Sequence, residues 1–157
     1  MKSRKLVLYL DTSVLGGYFD NEFEVETKML FDSVLNDEFD IMFSSITEDE
    51  LLNAPEQVSQ LLSNIPERNK TRIELTEEAV QLADTYISEN VVGKTSRGDC
   101  FHIALATIHK ADILVSWNFK HIVNVIRIRG YNAVNMKLGY PTIDIRSPKE
   151  LINYENK

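Results

Sequence analysis

Asp11, Glu50 and Asp99 are the residues whose type and position best suit chemistry. Asp11 directly follows the apolar run Leu6-Val7-Leu8-Tyr9-Leu10. An acid at the edge of a buried strand loses hydration and needs a partner in compensation. Glu50 lies in Ser44-Ser45-Ile46-Thr47-Glu48-Asp49-Glu50-Leu51, and Asp99 in Ser96-Arg97-Gly98-Asp99-Cys100-Phe101-His102-Ile103-Ala104. Hard divalent cations take oxygen ligands, and Mg²⁺ commonly needs one or two carboxylates plus water and phosphate. Acids without a companion His/Cys cluster point to Mg²⁺ or Mn²⁺ rather than zinc. Each acid also has a purely structural role open to it. Asp99 follows Ser96 by three positions, the spacing of a capping pair, and Glu50 follows Thr47 in the same way. Glu48 and Asp49 stand as well placed as Glu50 to supply a ligand.

The elements that must position these acids can be read from periodicity. The continuous run from Leu6 to Leu10 predicts a strand buried on both faces, and Gly16-Gly17 a flexible patch soon after it. Val25, Met29, Leu30, Val34 and Leu35 fall at helical spacing, and Phe39 to Phe43 reads as a second strand. Thr47 to Asn53 reads as a short helix closed by Pro55, and Glu56 to Asn64 as another. Arg72 to Leu75 reads as a strand, and Thr76 as the N-cap of the next helix. Ser96 opens the clearest helix, Ile113 to Val115 is a buried strand, Ile122 to Met136 a helix and Thr142 to Ile145 a strand. Alternating strands and helices predict an α/β fold, a three-layer α/β/α sandwich around a mostly parallel sheet. Ligands in such sheets bind beyond the carboxyl ends of the strands, where Asp11 falls.

Composition sets the outer bounds. A length of 157 residues, with 43% hydrophobic and 26% charged, suits a single domain over 1–157. No apolar run is long enough for a membrane span, and Asp11 ends the first apolar run too early for an export signal. The lone Cys100 cannot form an internal disulfide, which fits a reducing cytoplasm. A net charge of −7 disfavours broad binding to polyanions. From Ile113 to Ile143, however, there is no Asp or Glu, while Lys120, Arg127, Arg129 and Lys137 lie there with His121. That stretch reads either as a local basic face or as ordinary solvated surface.

Four segments together resemble one known family. Tyr9-Leu10-Asp11-Thr12-Ser13-Val14-Leu15-Gly16-Gly17-Tyr18-Phe19-Asp20 is similar to the first motif of the PIN domain family, and the Ser44–Leu51 segment to the second, with Glu50 at its acid. Gly98 to Ala106 resembles the third. Ala111-Asp112-Ile113-Leu114-Val115-Ser116-Trp117-Asn118-Phe119-Lys120-His121 resembles the fourth. The motifs come in family order and the likeness runs from Leu6 to about Leu151.

The resemblance implies a Rossmann-like fold and a Mg²⁺- or Mn²⁺-dependent ribonuclease for single-stranded RNA. Many such proteins, among them the VapC group, are the toxin half of a toxin–antitoxin pair. By position, Asp11, Glu50 and Asp99 would be the metal ligands and catalytic acids. Ser13 and Ser116 would orient the site. Lys94, Arg97, Lys120 and His121, which flank the third and fourth motifs, would hold the RNA backbone. His102 would either contact substrate or pack beside Asp99, and Trp117 would stack on a base or join the core. Where the fourth motif often carries Asp, this chain has Asn118. An amide keeps a carbonyl oxygen but not the charge, so a metal at that position would be weakly held. Asp112 precedes the strand and lies at its opposite end. The other reading is therefore a PIN-fold module that binds RNA or protein with little or no turnover. A phosphotransferase using Asp11 as nucleophile is disfavoured by Ser13, where a second Asp is usual. A homodimer or an antitoxin complex would use the helix over 25–35 or those over 47–64.

Overall fold

The computed structural model describes residues 4–155, with side chains to residue 152. Its centre is a five-stranded, wholly parallel sheet in the order β3-β2-β1-β4-β5. The strands are β1 (Leu6–Leu10), β2 (Phe39–Ser44), β3 (Lys70–Ile73), β4 (Ile113–Val115) and β5 (Asp144–Arg146). The chain builds outward from β1 through β2 to β3, then crosses back to lay β4 against the free edge of β1. That reversal makes the β1/β4 boundary the switch point at which open α/β sheets bind ligands.

Alternate residues of the strands feed two separate cores. Leu8, Leu10, Ile41, Phe43, Ile113 and Val115 pack with α1 (Thr12–Gly17), α2 (Glu24–Leu35) and α4 (Glu56–Ser63). Tyr9, Met42, Leu114 and Ile145 face α5 (Glu77–Ser88), α6 (Arg97–Ile108) and α7 (Val125–Lys137). These are the three layers that the alternation of strands and helices predicts. Burial on both faces explains the unbroken apolar run of β1. Each of its fully enclosed aliphatic side chains contributes roughly 1.5–3 kcal/mol. The fold also contains α3 (Ser45–Leu51), in the connection from β2, and α8 (Pro148–Glu155), which packs on α2.

Several local expectations shift. Gly16 and Gly17 belong to α1 rather than to a flexible patch. A Cβ at Gly17 would meet Trp117 Cδ1 and Nε1 at 2.7 Å, so this glycine is selected by close packing. The capping box of α3 joins Ser44 to Thr47, not Thr47 to Glu50. Ser44, at the end of β2, already has the extended backbone an N-cap needs. The third strand spans Lys70–Ile73, about two residues earlier than its apolar pattern suggests, because it pairs with β2 from Ile41 onward. Helix α7 starts at Val125, where Asn124 caps it by accepting from the N–H groups of Ile126 and Arg127. Among the described residues, no helix is long and apolar enough to cross a membrane.

Candidate active site

Asp11 sits where β1 ends, and its backbone N–H donates to Val115 O across the switch point at 3.2 Å. It is also the N-cap of α1, accepting from Val14 N–H. Asp11 is 3% exposed, and each of its carboxylate oxygens accepts a hydrogen bond. Ser13 Oγ donates to Oδ1 and Ser116 Oγ to Oδ2, both at 2.6 Å. The two serines also brace the segment after β4: Ser13 Oγ accepts from Trp117 N–H and Ser116 Oγ from Asn118 N–H, each at 2.9 Å. Both thus stand against Asp11, at the positions the sequence pattern suggests. Burial pushes the Asp11 carboxyl above the ordinary range, against the opposing pull of His102 and the two hydroxyls.

Asp99 lies in the first turn of α6 but not as a capping partner. Ser96, at the N-cap position, makes no side-chain capping bond, and its buried Oγ has no hydrogen-bond partner. Burial raises the Asp99 carboxyl, and the charges of Asp11 and Glu50 raise it further. Asp99 on α6 thus senses the carboxyl that follows β1 and the one on α3.

The choice among the α3 acids is made by their neighbours. Glu48 is claimed by Arg72 of β3 at 2.7 Å, and Asp49 is exposed. Glu50 Oε1 accepts from Thr12 Oγ1 at 2.9 Å and is joined to His102 Nε2 at 2.5 Å. Burial alone would raise Glu50, but the bond and charge of His102, aided by Thr12, bring it below the ordinary value. His102 is 2% exposed. Its other nitrogen, Nδ1, is bonded to Tyr9 Oη at 2.7 Å, and Tyr9 Oη to Ser44 Oγ at 2.7 Å. No ring nitrogen of His102 is left for substrate. The sequence offered only its helical spacing from Asp99 as a signal.

Asn118 turns toward Asp99, donating from Nδ2 to Oδ2 at 3.3 Å. Its Oδ1 accepts from the N–H groups of Lys120 and His121 at 3.2 and 3.0 Å. The amide therefore shapes the turn with its carbonyl and faces the acids with its nitrogen. Trp117 is core: it is 7% exposed, donates to Thr27 Oγ1 at 2.9 Å and stacks on Phe23 at 4.2 Å. Of the four basic candidates, Arg97 is paired with Asp84 at 2.9 Å and lies over the Phe101 ring. Lys94 and Lys120 are exposed, and His121 is half-buried beside Asp99, whose charge it helps stabilise. Cys100 is enclosed, and burial, reinforced by Asp99, pushes its thiol up to about 12. That leaves it a packing residue rather than a nucleophile.

Among the described residues, no group of three or more His, Cys, Asp or Glu side chains forms a ready-made cage for an ion. The donor chemistry nevertheless suits a hard dication. The groups are carboxylates, of which Asp11 and Glu50 raise the proton affinity of Asp99, and the nearby imidazole is already bonded on both sides. Phosphate and water oxygens would have to complete such a shell.

An all-parallel sheet with acids gathered at its switch point defines a three-layer α/β protein. Solved structures share that fold. VapBC2 from Rickettsia felis, bound to a DNA fragment from its promoter, is 17% identical; the alignment covers 90% of this chain and 98% of that one, with a TM-score of 0.55. FitAcB from Neisseria gonorrhoeae is 15% identical over 90% of this chain and 97% of its own, with a TM-score of 0.56. FitAB bound to an IR36 DNA fragment is 14% identical over 90% and 94%, with a TM-score of 0.57. Neither a family sequence model nor a curated protein sequence matches the chain.

Proposed function

We propose that this chain is a cytoplasmic, Mg²⁺- or Mn²⁺-dependent endoribonuclease acting on single-stranded RNA, the toxin of a toxin–antitoxin pair. The observation that carries this reading is geometric: at the β1/β4 switch point Ser116 donates to Asp11, Thr12, the residue after Asp11, donates to Glu50, and Asn118, two residues after Ser116, donates to Asp99. The charges of Asp11 and Glu50 raise Asp99, and a cation relieves such repulsion.

Asp11, Glu50 and Asp99 would hold the metal. When bound, it would polarise the phosphodiester, favour an ionised water as nucleophile and offset charge on the leaving oxygen. Ser13 and Ser116 keep both Asp11 oxygens in one orientation, so that little rearrangement is needed at the moment of reaction. Lys94, Lys120 and His121 would meet the flanking phosphates. Arg97, committed to Asp84, contributes mainly to the α5–α6 contact.

Expression of Asp11→Asn and Asp99→Asn tests the reading. Both variants should stay folded by circular dichroism and lose Mn²⁺-dependent cleavage of a single-stranded RNA. Undiminished cleavage in either one overturns the assignment.

A second reading has its own support. Asn118 presents an amide nitrogen, not a fourth carboxylate, to Asp99, as in a binding module with weak or no turnover. That module would bind RNA or a protein partner without metal-dependent cutting, and Mn²⁺ calorimetry separates the two. The similarity to VapBC2 and FitAB and the exposed Val25, Met29 and Leu35 of α2 support a protein partner, either an antitoxin or a second copy in a homodimer.

A further inference from the structure

We propose that His102 is a positioning residue that fixes Glu50 for cation binding, held from behind by a buried Ser44–Tyr9 hydroxyl pair. This deepens the ribonuclease reading and rests on it.

Glu50 is the most mobile of the three acids by chemistry and place. Its side chain is long and 43% exposed, whereas Asp11 is short and enclosed. An exposed glutamate samples many rotamers, and a metal that binds it must overcome that freedom. Here one oxygen is pinned from two sides, by His102 Nε2 and by Thr12 Oγ1. Oε2 makes no hydrogen bond to another described residue and stays open to a ligand.

The strut behind Glu50 is rigid because it is buried along its whole length. Tyr9 and Ser44 are 0% exposed and His102 2%. The Tyr9 and His102 rings meet edge-on, with centroids 5.6 Å apart. Ser44 is itself tied down, its Oγ accepting from Thr47 N–H in the capping box of α3, the helix that carries Glu50. From Thr47 to Glu50 the polar chain therefore begins and ends on α3, passing through the last residue of β2, then β1 and α6. In either charge state of the imidazole, Nε2–H donates to Glu50. In the neutral form, Tyr9 Oη–H donates to Nδ1 and keeps the ring proton on Nε2.

Two substitutions separate positioning from packing. A glutamine at 102 places an amide N–H near the His102 Nε2 position, whereas an asparagine reaches only as far as Nδ1. Titrated with Mn²⁺ by calorimetry, His102→Gln should stay close to the native affinity. His102→Asn should lose about 10- to 100-fold, the usual consequence of removing a partner of a metal ligand. Equal affinities in native protein, His102→Gln and His102→Asn overturn the proposal while leaving the acidic site intact. A metal-free measurement covers the case in which the native protein binds no Mn²⁺. In ¹⁵N-labelled protein the His102 Nε2–H resonance should be protected from exchange and should shift in Glu50→Gln. Absence of that shift also overturns the strut. A protein that shows the shift but binds no Mn²⁺ keeps the His102–Glu50 contact and refutes its role in cation binding together with the metal-dependent reading.

Discussion

The amide nitrogen of Asn118 stands 3.3 Å from Asp99 Oδ2, while the amide oxygen is occupied by the N–H groups of Lys120 and His121. The residue thereby offers Asp99 a hydrogen-bond donor without adding negative charge beside it. An aspartate in its place could keep the turn, but would aim a second carboxylate oxygen at Asp99.

Asn118→Asp should therefore cost about 1 kcal/mol of stability in the metal-free protein at neutral pH, through like-charge repulsion. Added Mn²⁺ should recover the loss. Urea unfolding with Mn²⁺ and with a chelator checks both halves, and a variant as stable as the native chain without metal would contradict the described contact.

Asp11 and Asp99 give the metal-free protein a distinctive pH dependence. Both carboxyls are raised above 3.8, mainly by burial, so the folded state holds their protons more tightly than the unfolded chain does. Their contribution to stability is fully present below the unfolded value near 3.8 and is lost as pH rises through the higher folded values. Glu50, lowered despite its burial because His102 and Thr12 hold it, contributes in the opposite sense. Across weakly acidic pH, Asp11→Asn should gain stability relative to the native protein as pH rises. Chemical denaturation at a series of pH values reads this directly, and parallel curves for the two proteins would count against raised carboxyls.

Gly17 is where the site meets the aromatic core. A methyl group there would stand 2.7 Å from the Trp117 indole and 3.0 Å from Thr27 Oγ1, the pair joined by the indole hydrogen bond. Gly17→Ala should destabilise the protein by about 1–3 kcal/mol through overpacking. Because Trp117 N–H donates to Ser13 Oγ, which donates to Asp11, the displacement should weaken Mn²⁺ binding as well. The only tryptophan in the chain provides the readout: its emission should shift in the variant, and an unchanged spectrum with unchanged melting would refute the close approach.

Repetition along the chain was enough to determine the layers. The unbroken apolar run of β1, the alternation of short strands with amphipathic helices and an acid directly after the first strand all follow from local burial, because a residue's face is set by its few nearest positions. That pattern placed Asp11 at the carboxyl edge of the sheet, and the resemblance to the PIN motifs added Ser13 and Ser116. Spacing left Glu48, Asp49 and Glu50 equivalent, while the resemblance chose Glu50, offered Asn118 as a weak ligand and left His102 undecided. These were decided by partners remote in sequence: Arg72 draws Glu48 away, His102 on α6 captures Glu50, and the following turn takes the Asn118 carbonyl. Hydrogen bonds between side chains depend on which atoms the folded backbone brings within about 3 Å, a condition that no periodicity encodes. Tertiary packing therefore chose the atoms that face the acidic site, among residues whose presence near it was already legible.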